Sequence, residues 1–252
     1  MGRVTEEFAN ADLSVWLLGE FRVAVDGHEV PAAAWRRSKA RSVVKLLALA
    51  PGHRLHREQL MEWLWPDLDP DAAAANLRKA MHFARRALGA DAVRVSNEIV
   101  RLEATALWVD VDAFEEAARA GDTVRALGLY TDDLLLEDRF EPWCERRRDQ
   151  LRTMVAQVLF DQSHELERRG DSRGAIDALE RLLALEPLSE AGHCGLIRLH
   201  ALDGRRHVAM RWYRQLEDRL MVELGVAPGD EVRRLRDEIL AGGFVAEVSA
   251  PA

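Results

Sequence analysis

The hydrophobic pattern changes near residue 107, and this change constrains the fold more than any other feature of the sequence. Before it, short β-rich runs alternate with helical segments, whereas the apolar spacing after it is helical throughout. A chain of 252 residues is long enough for two domains of ordinary size. We therefore predict one domain over residues 1–105, a second over 106–241 and a flexible tail over 242–252.

The first domain is predicted to contain a small sheet, three helices and a closing hairpin. Asp26-Gly27 is a strong hairpin signal within the β-rich stretch 13–30. Helical patterns follow over 38–50, 57–65 and 69–89, the last of them opened by Asp69 as a cap and Pro70. Short strands over 92–96 and 99–103 flank a turn. This order is that of a winged helix-turn-helix, with the last hairpin as the wing.

The second domain is predicted to be all helical and internally repetitive. The pattern Gly-x4-Ala-x3-Tyr/Leu begins at Gly121, Gly170 and Gly204, and the last two copies are 34 residues apart. That period is typical of tetratricopeptide helix pairs, in which small alanines let two helices approach closely. The first copy lies 49 residues further upstream, so we expect an irregular array. The predicted fold class is mainly α with small β-sheets: a winged helix-turn-helix followed by an all-α, tetratricopeptide-like repeat domain.

The net charge of −8 conceals a basic segment. Residues 31–103 contain 13 Lys and Arg against 8 Asp and Glu, whereas the regions on both sides are acidic. A local excess of positive charge indicates a local site for anions.

Several functional classes find no support in the sequence. The two cysteines lack CxxC spacing, no phosphate-loop motif occurs, and no apolar run is long enough to span a membrane. His53 and His56 have the spacing of metal ligands, but Pro51-Gly52 places His53 in a turn, and no acidic or cysteine residue with ligand spacing lies nearby in the sequence. We predict no enzyme activity, no metal, no cofactor and no membrane partner, and a cytoplasmic location.

Residues 76–88 carry the sharpest functional signal, because they form a helix with one apolar and one cationic face. No acid occurs among these 13 residues. At the helical spacing, one arc consists of Arg78, Lys79, His82, Arg85 and Arg86. Such a helix fits the major groove, where an acid would be repelled by the phosphates. We predict that it binds double-stranded DNA; the alternative is a surface helix that is merely basic.

Other basic residues are predicted to contact the DNA backbone. One group lies at the start of the first helix and is suited to clamp phosphate: Arg36, Arg37, Lys39 and Arg41. Arg94 and Arg101 flank the wing turn, where they are placed to contact the backbone or the minor groove. For each of these residues the alternative is a solvated surface charge.

Long stretches of the chain resemble a known family. The segment from WRRSKARSVVKLLALAPGHRLHREQL to NLRKAMHFARRALG resembles the DNA-binding domain of the Streptomyces antibiotic regulatory protein (SARP) family. The stretches VDVDAFEEAA, ALGLYTDDLLLEDRFEPW and ELGVAPGDEVRRLRDEIL resemble the bacterial transcriptional activator domain of that family. The resemblance covers residues 13–240, nearly the whole chain.

The resemblance implies an OmpR-type winged helix fused to a tetratricopeptide-like activator domain. It implies binding to direct repeats near promoters, as a homodimer or as tandem protomers, and recruitment of RNA polymerase. The third helix is then expected to enter the major groove, and the wing role falls on residues 94–101. Two alternatives stay open: a protein-interaction scaffold that uses the repeat domain, and the N-terminal piece of a larger regulator that contains an ATPase.

Overall fold

The computed structural model describes residues 11–35 and 38–243. The chain divides between Leu151 and Arg152 into two compact units. A helix long and apolar enough to cross a membrane does not occur within the described ranges.

The N-terminal unit begins with a four-stranded sheet. Its strands are β1 (Leu13–Trp16), β2 (Arg22–Val25), β3 (His28–Glu29) and β7 (Leu107–Val109), in the order β3-β2-β1-β7. The pairing is antiparallel except between β1 and β7, which run parallel. Asp26 and Gly27 form the turn between β2 and β3 with φ of 48° and 74°, the positive values that a two-residue hairpin requires. The hairpin predicted at Asp26-Gly27 is confirmed.

The three helices predicted for the first domain are present, as α1 (Ser38–Leu49), α2 (Arg57–Leu64) and α3 (Pro70–Leu88). Asp69 caps α3, because its side chain accepts hydrogen bonds from the backbone N–H groups of Asp71 and Ala72. Pro70 occupies the first turn, where a missing N–H costs nothing. The helix ends at Leu88, before Gly89 with φ of 109°.

A second, three-stranded sheet contains the wing. Its strands are β4 (Arg54–His56), β5 (Val93–Ser96) and β6 (Ile99–Leu102), in the antiparallel order β4-β6-β5. The predicted hairpin is thus confirmed as β5 and β6. The sequence analysis did not predict β4, which contains only three residues, nor β7, which follows the wing.

The N-terminal unit continues past the wing into α4 (Asp110–Arg119), α5 (Thr123–Leu129) and the first part of α6 (Pro142–Arg168). Asp110 is 2% exposed and accepts hydrogen bonds from the N–H groups of Leu17 (2.8 Å) and Leu18 (2.8 Å), just after β1. Compactness alone does not fix domain limits, so the boundary at residue 105 stays a prediction. The contacts nevertheless join the residues after the wing to the first sheet.

An ion-pair cluster around the buried side chain of Lys45 connects α1 with the segment before α6. Lys45 is 3% exposed, and its Nζ lies 2.6 Å from Oε1 of Glu137 and also contacts Asp138. Arg41 contacts the same carboxylate of Glu137. Burial opposes the ionisation of Glu137, but Lys45 and Arg41 together hold its pKa below the usual range.

The C-terminal unit consists of the rest of α6 and of α7 (Ser172–Leu185), α8 (Glu190–Leu202), α9 (Arg206–Leu224) and α10 (Asp230–Leu240). The predicted repeat has a physical basis in these helices. Gly170 and Gly204 lie in the turns before α7 and α9 with φ of 78° and 71°, where a side chain is strained. Each copy contributes one fully buried alanine to the helix that follows: Ala126, Ala175 and Ala209.

Candidate nucleic-acid interface

Helix α3 buries its apolar face and exposes its cationic one. It packs on α1 through residues that are almost inaccessible to solvent: Leu77, Ala80, Met81, Ala84 and Leu88. The side chains on the other face are exposed: Arg78, Lys79, His82 and Arg86. The acidic residue of this helix, Asp71, lies in its first turn, away from these side chains. The helix therefore presents a face of one charge sign to solvent.

The exposed cations of α3 are not used in internal ion pairs. Among the residues that the structure describes, Arg78, Lys79 and Arg86 have no carboxylate partner. Most surface helices mix charges and pair them at i,i+4 spacing. An unpaired cationic face can bind a polyanion without first breaking contacts within the protein, so it favours association with phosphates.

Arg85 differs from its neighbours on α3. It is half-buried, and its Nε donates a hydrogen bond to the carbonyl oxygen of Val93 at 2.6 Å. Val93 is the first residue of β5, so this contact fixes the wing against the helix. The predicted role of Arg85 in DNA binding is untested, and the structure gives this side chain a positioning role.

The wing carries a row of three arginines. The strand register places Arg101 of β6 directly between Arg54 of β4 and Arg94 of β5. Like charges placed opposite each other on one face destabilise a sheet unless other groups compensate. Asp91 lies 2.9 Å from Arg94, and Glu103 lies 3.3 Å from Arg94 and 3.5 Å from Arg101.

Arg54 is the member of this row that sequence reasoning missed. It is exposed and, within the described residues, has no carboxylate partner. The signal was weak because β4 is short and Arg54 lies 47 residues from Arg101, its partner in the register. Among the residues that the structure describes, Arg54 is thus the cation of this row without an ion-pair partner, whereas the charges of Arg94 and Arg101 are partly compensated.

The residues of the basic cluster predicted at the start of α1 differ in the contacts that they make. Arg41 pairs with Glu137, and its guanidinium lies 5.3 Å from the ring centre of Phe21. Lys39 is half-buried and has no ion-pair partner in the part of the chain that the structure describes. Arg36 and Arg37 lie outside the described residues. Arg41 is thus engaged in contacts within the protein, whereas Lys39 has no carboxylate partner among the described residues.

The two histidines with metal-like spacing have separate structural roles. The ring of His56 caps α2 by accepting a hydrogen bond from the N–H of Glu58 at 3.3 Å. Nε2 of His53 instead contacts Asp112 at 3.2 Å. Within residues 11–35 and 38–243, no group of three or more His, Cys, Asp or Glu side chains is arranged to hold a metal ion.

Comparison with protein families gives one matching family, described as the bacterial transcriptional activator domain. It matches residues 109–240, slightly more than half of the chain. This range begins at the end of β7 and ends with α10.

Curated proteins that match most of the chain are regulators. The chain is 28% identical to the regulatory protein AfsR of Streptomyces griseus over 83% of its own length, and 29% identical to the transcriptional regulator RedD of Streptomyces coelicolor over 84%. It is 24% identical to the transcriptional regulatory protein EmbR of Mycobacterium tuberculosis over 90%. The matched regions span 24% of AfsR, 67% of RedD and 63% of EmbR.

Among solved structures, the chain is similar to Mycobacterium tuberculosis EmbR, determined in complex with a low-affinity phosphopeptide. The TM-score is 0.75 at 23% identity, over 92% of this chain and 65% of that one. This similarity concerns the fold, and it agrees with the predicted class of small N-terminal sheets followed by a helical domain.

Proposed function

The chain belongs to the family defined by the bacterial transcriptional activator domain, and from this premise we propose that it reads direct repeats in promoter DNA through the exposed face of α3. The resemblance to SARP regulators predicted from the sequence is confirmed, and the chain is a transcriptional regulator of that type. Such a regulator acts in the bacterial cytoplasm, at the nucleoid, and needs no enzymatic activity of its own.

The observation that carries the proposal is the unpaired cationic face of α3. An α-helix fits the width of the major groove, where arginine can donate two hydrogen bonds to guanine and lysine can contact phosphate. Arg78, Lys79 and Arg86 are exposed and form no ion pair with the other described residues, so their charges are available to DNA. His82 lies on the same face and adds a further polar contact.

Two further groups of cations support the proposal by extending the positive surface. On the wing, Arg54, Arg94 and Arg101 form one row across the sheet, where they are proposed to contact the backbone or the minor groove. At the start of α1, Lys39 is proposed to contact phosphate, together with Arg36 and Arg37.

The helical part of the chain is proposed to contact RNA polymerase or a second protomer bound to the adjacent repeat. After Glu103 the chain contains 29 Asp and Glu against 20 Lys and Arg. An acidic surface is a poor ligand for DNA but complements basic patches on proteins. We propose domain limits of 1–105 and 106–241, with a tail over 242–252.

The test is selection of bound sequences from random DNA by the purified chain, followed by affinity measurements on the selected site. Wild-type protein is expected to enrich a repeated motif. Arg78→Ala is expected to cost about 1–3 kcal/mol and to relax the preference at one base position. Arg173→Ala provides the control, because Arg173 is an exposed arginine of α7 without an ion-pair partner among the described residues. Wild-type sequence preference in Arg78→Ala and Arg86→Ala alike would contradict reading by α3.

A further inference from the structure

The N-terminal unit contains a cleft that the proposed function does not use. Its volume is about 550 Å³, within the usual range for small-molecule sites. One wall comes from the end of α1, the turn 51–53, β4 and α2; the other comes from α4 and α6. We propose that this cleft binds a small planar molecule that combines an apolar ring system with one anionic group.

The apolar part of the ligand is specified by two tryptophans. Trp63 of α2 lines the cleft and is 39% exposed, which is unusual for so large an apolar ring. Trp143 of α6 also lines the cleft, and its indole N–H donates to Oε2 of Glu141 at 2.9 Å. Since that hydrogen bond satisfies the polar atom of Trp143, its ring is left to make apolar contacts. Leu49 and Leu55 complete a surface suited to a flat hydrophobic body.

The anionic part of the ligand is specified by adjacent arginines on α6. Arg147 is already paired, with its Nη2 2.9 Å from Oε1 of Glu115. Arg146 also lines the cleft, is exposed, and has no ion-pair partner in the described part of the chain. A guanidinium binds a carboxylate or sulfonate through two parallel hydrogen bonds. Arg146 is therefore the cation of the cleft whose charge is not compensated by the other charged groups that line it.

The remaining charged groups of the cleft balance one another. His53 contacts Asp112 at 3.2 Å, and Arg147 contacts Glu115. The His53–Asp112 pair joins the two walls of the cleft, whereas the Arg147–Glu115 pair joins α6 to α4 within one wall. A ligand in the cleft contacts both parts of the unit through Trp63 on one side and Trp143 with Arg146 on the other.

The proposal is tested by calorimetric titration of the full chain with naphthoate, which has the required flat ring system and carboxylate. We expect saturable binding to one site per chain. Naphthamide, which has the same rings without the charge, is expected to bind about 10-fold more weakly, because a charge-assisted hydrogen bond is lost.

Three variants locate the site. Arg146→Gln is expected to weaken naphthoate binding about 10-fold and to remove the difference between naphthoate and naphthamide. Trp63→Leu is expected to weaken both ligands. Arg173→Gln is the matched control and is expected to bind like the wild type, because Arg173 lies on α7 in the other unit. Circular dichroism of each variant checks that the fold is retained.

The proposal is overturned if naphthoate gives no saturable binding, or if it binds Arg146→Gln and Trp63→Leu as tightly as the wild type. Equal affinity for naphthoate and naphthamide overturns the assignment of an anionic ligand. None of these measurements involves DNA, so their outcome is independent of the DNA-binding proposal.

Discussion

Nε2 of His53 lies 3.2 Å from Oδ2 of Asp112, while Nδ1 of the same ring lies 3.2 Å from the carbonyl oxygen of Ala48. Both partners are acceptors, so only the protonated imidazole, in which both ring nitrogens donate, satisfies both contacts. The contact with Asp112, opposed by partial burial, raises the pKa of His53 above its usual value. One side chain thereby ties the end of α1 to α4.

The first prediction is a loss of stability with rising pH that depends on His53. Its pKa is raised in the folded state, so the contribution is complete below the ordinary value of about 6.5 and disappears as the pH passes the raised value. His53→Gln is expected to unfold with less pH dependence in this window, by no more than about 1 kcal/mol for a partly exposed pair. Urea unfolding of both proteins from mildly acidic to mildly alkaline pH measures the difference. Parallel curves would contradict the assignment.

The second prediction concerns Asp110 and a lower pH window. Burial raises the pKa of Asp110 to about 7, against the opposing hydrogen bonds from Leu18 and Leu17. Between about pH 4 and 7 the unfolded chain has lost this proton and the folded chain keeps it, so stability falls as the pH rises. The slope is at most about 1.4 kcal/mol per pH unit.

Asp110→Asn is expected to remove this slope, because an amide does not titrate. It also turns an NH2 group toward the backbone N–H groups of Leu17 and Leu18, which donate hydrogen bonds and cannot accept one, so the variant is expected to be less stable at every pH. The free energy of unfolding of wild type and variant, plotted between pH 4 and 7, shows both effects. If the free energies of unfolding of wild type and Asp110→Asn differ by the same amount across this range, the pKa of Asp110 is not raised and its carboxylate is ionised throughout.

The third prediction concerns Lys45, which is buried between two carboxylates. Lys45→Met removes the buried cation from Glu137 and Asp138, whose side chains are 41% and 15% exposed, and is expected to cost about 1.5–3 kcal/mol, the usual value of hydrogen bonds to a charged group. Arg41→Met, which removes the more exposed cation of the same cluster, is expected to cost much less. Thermal or urea unfolding gives the comparison. If Lys45→Met and Arg41→Met lower the free energy of unfolding by the same amount, the burial of Lys45 does not determine how strongly it stabilises the fold.

These ion pairs mark the limit of what the sequence could predict. The helices α1 to α3, the hairpin at Asp26-Gly27 and the wing were predictable because each depends on local spacing and turn residues. Glu137 is 96 residues from Arg41, and no spacing rule connects residues that far apart. The sequence therefore placed Arg41 among the DNA contacts, whereas the structure engages it with Glu137.

The candidate site was partly accessible to the same reasoning. The apolar and cationic faces of α3 follow from helical periodicity, and the structure exposes the predicted residues Arg78, Lys79, His82 and Arg86. The contact of Arg85 with Val93 and the register that aligns Arg54 with Arg101 depend on how the wing packs. Tertiary contacts of that kind leave no periodic signal. The assignment of these residues to DNA contacts stays a prediction.

The fourth prediction is the salt dependence of DNA binding. If Arg36, Arg37, Lys39, Arg54 and Lys79 contact about five phosphates per protomer, log affinity should fall with log salt at a slope of about −4 to −5. Arg54→Ala should make the slope about 0.9 less steep, and Arg173→Ala should not change it. Fluorescence anisotropy on a short duplex across a salt series measures both. A flat affinity would exclude an electrostatic interface.

The fifth prediction compares two fragments. A fragment of residues 1–105 lacks β7, Asp110 and the carboxylates that surround Lys45, so it is expected to be less stable than a fragment that contains them. A fragment of residues 1–151 retains all of these contacts and is expected to fold and to bind a single DNA repeat weakly. Circular dichroism and anisotropy on one repeat measure folding and binding. A stable, DNA-binding 1–105 fragment would show that the contacts of Asp110 and Lys45 are dispensable.

The parallel pairing of β1 with β7 also sets an order of events during synthesis. Leu13 is aligned with Leu107, so one edge of the first strand has no partner until the ribosome has translated the helix-turn-helix and the whole wing. An open strand edge is a template for pairing with other chains, and pairings between distant residues form slowly. The nascent chain is therefore most prone to aggregation before residue 109 leaves the exit tunnel, and a translational pause upstream of that point prolongs the exposure.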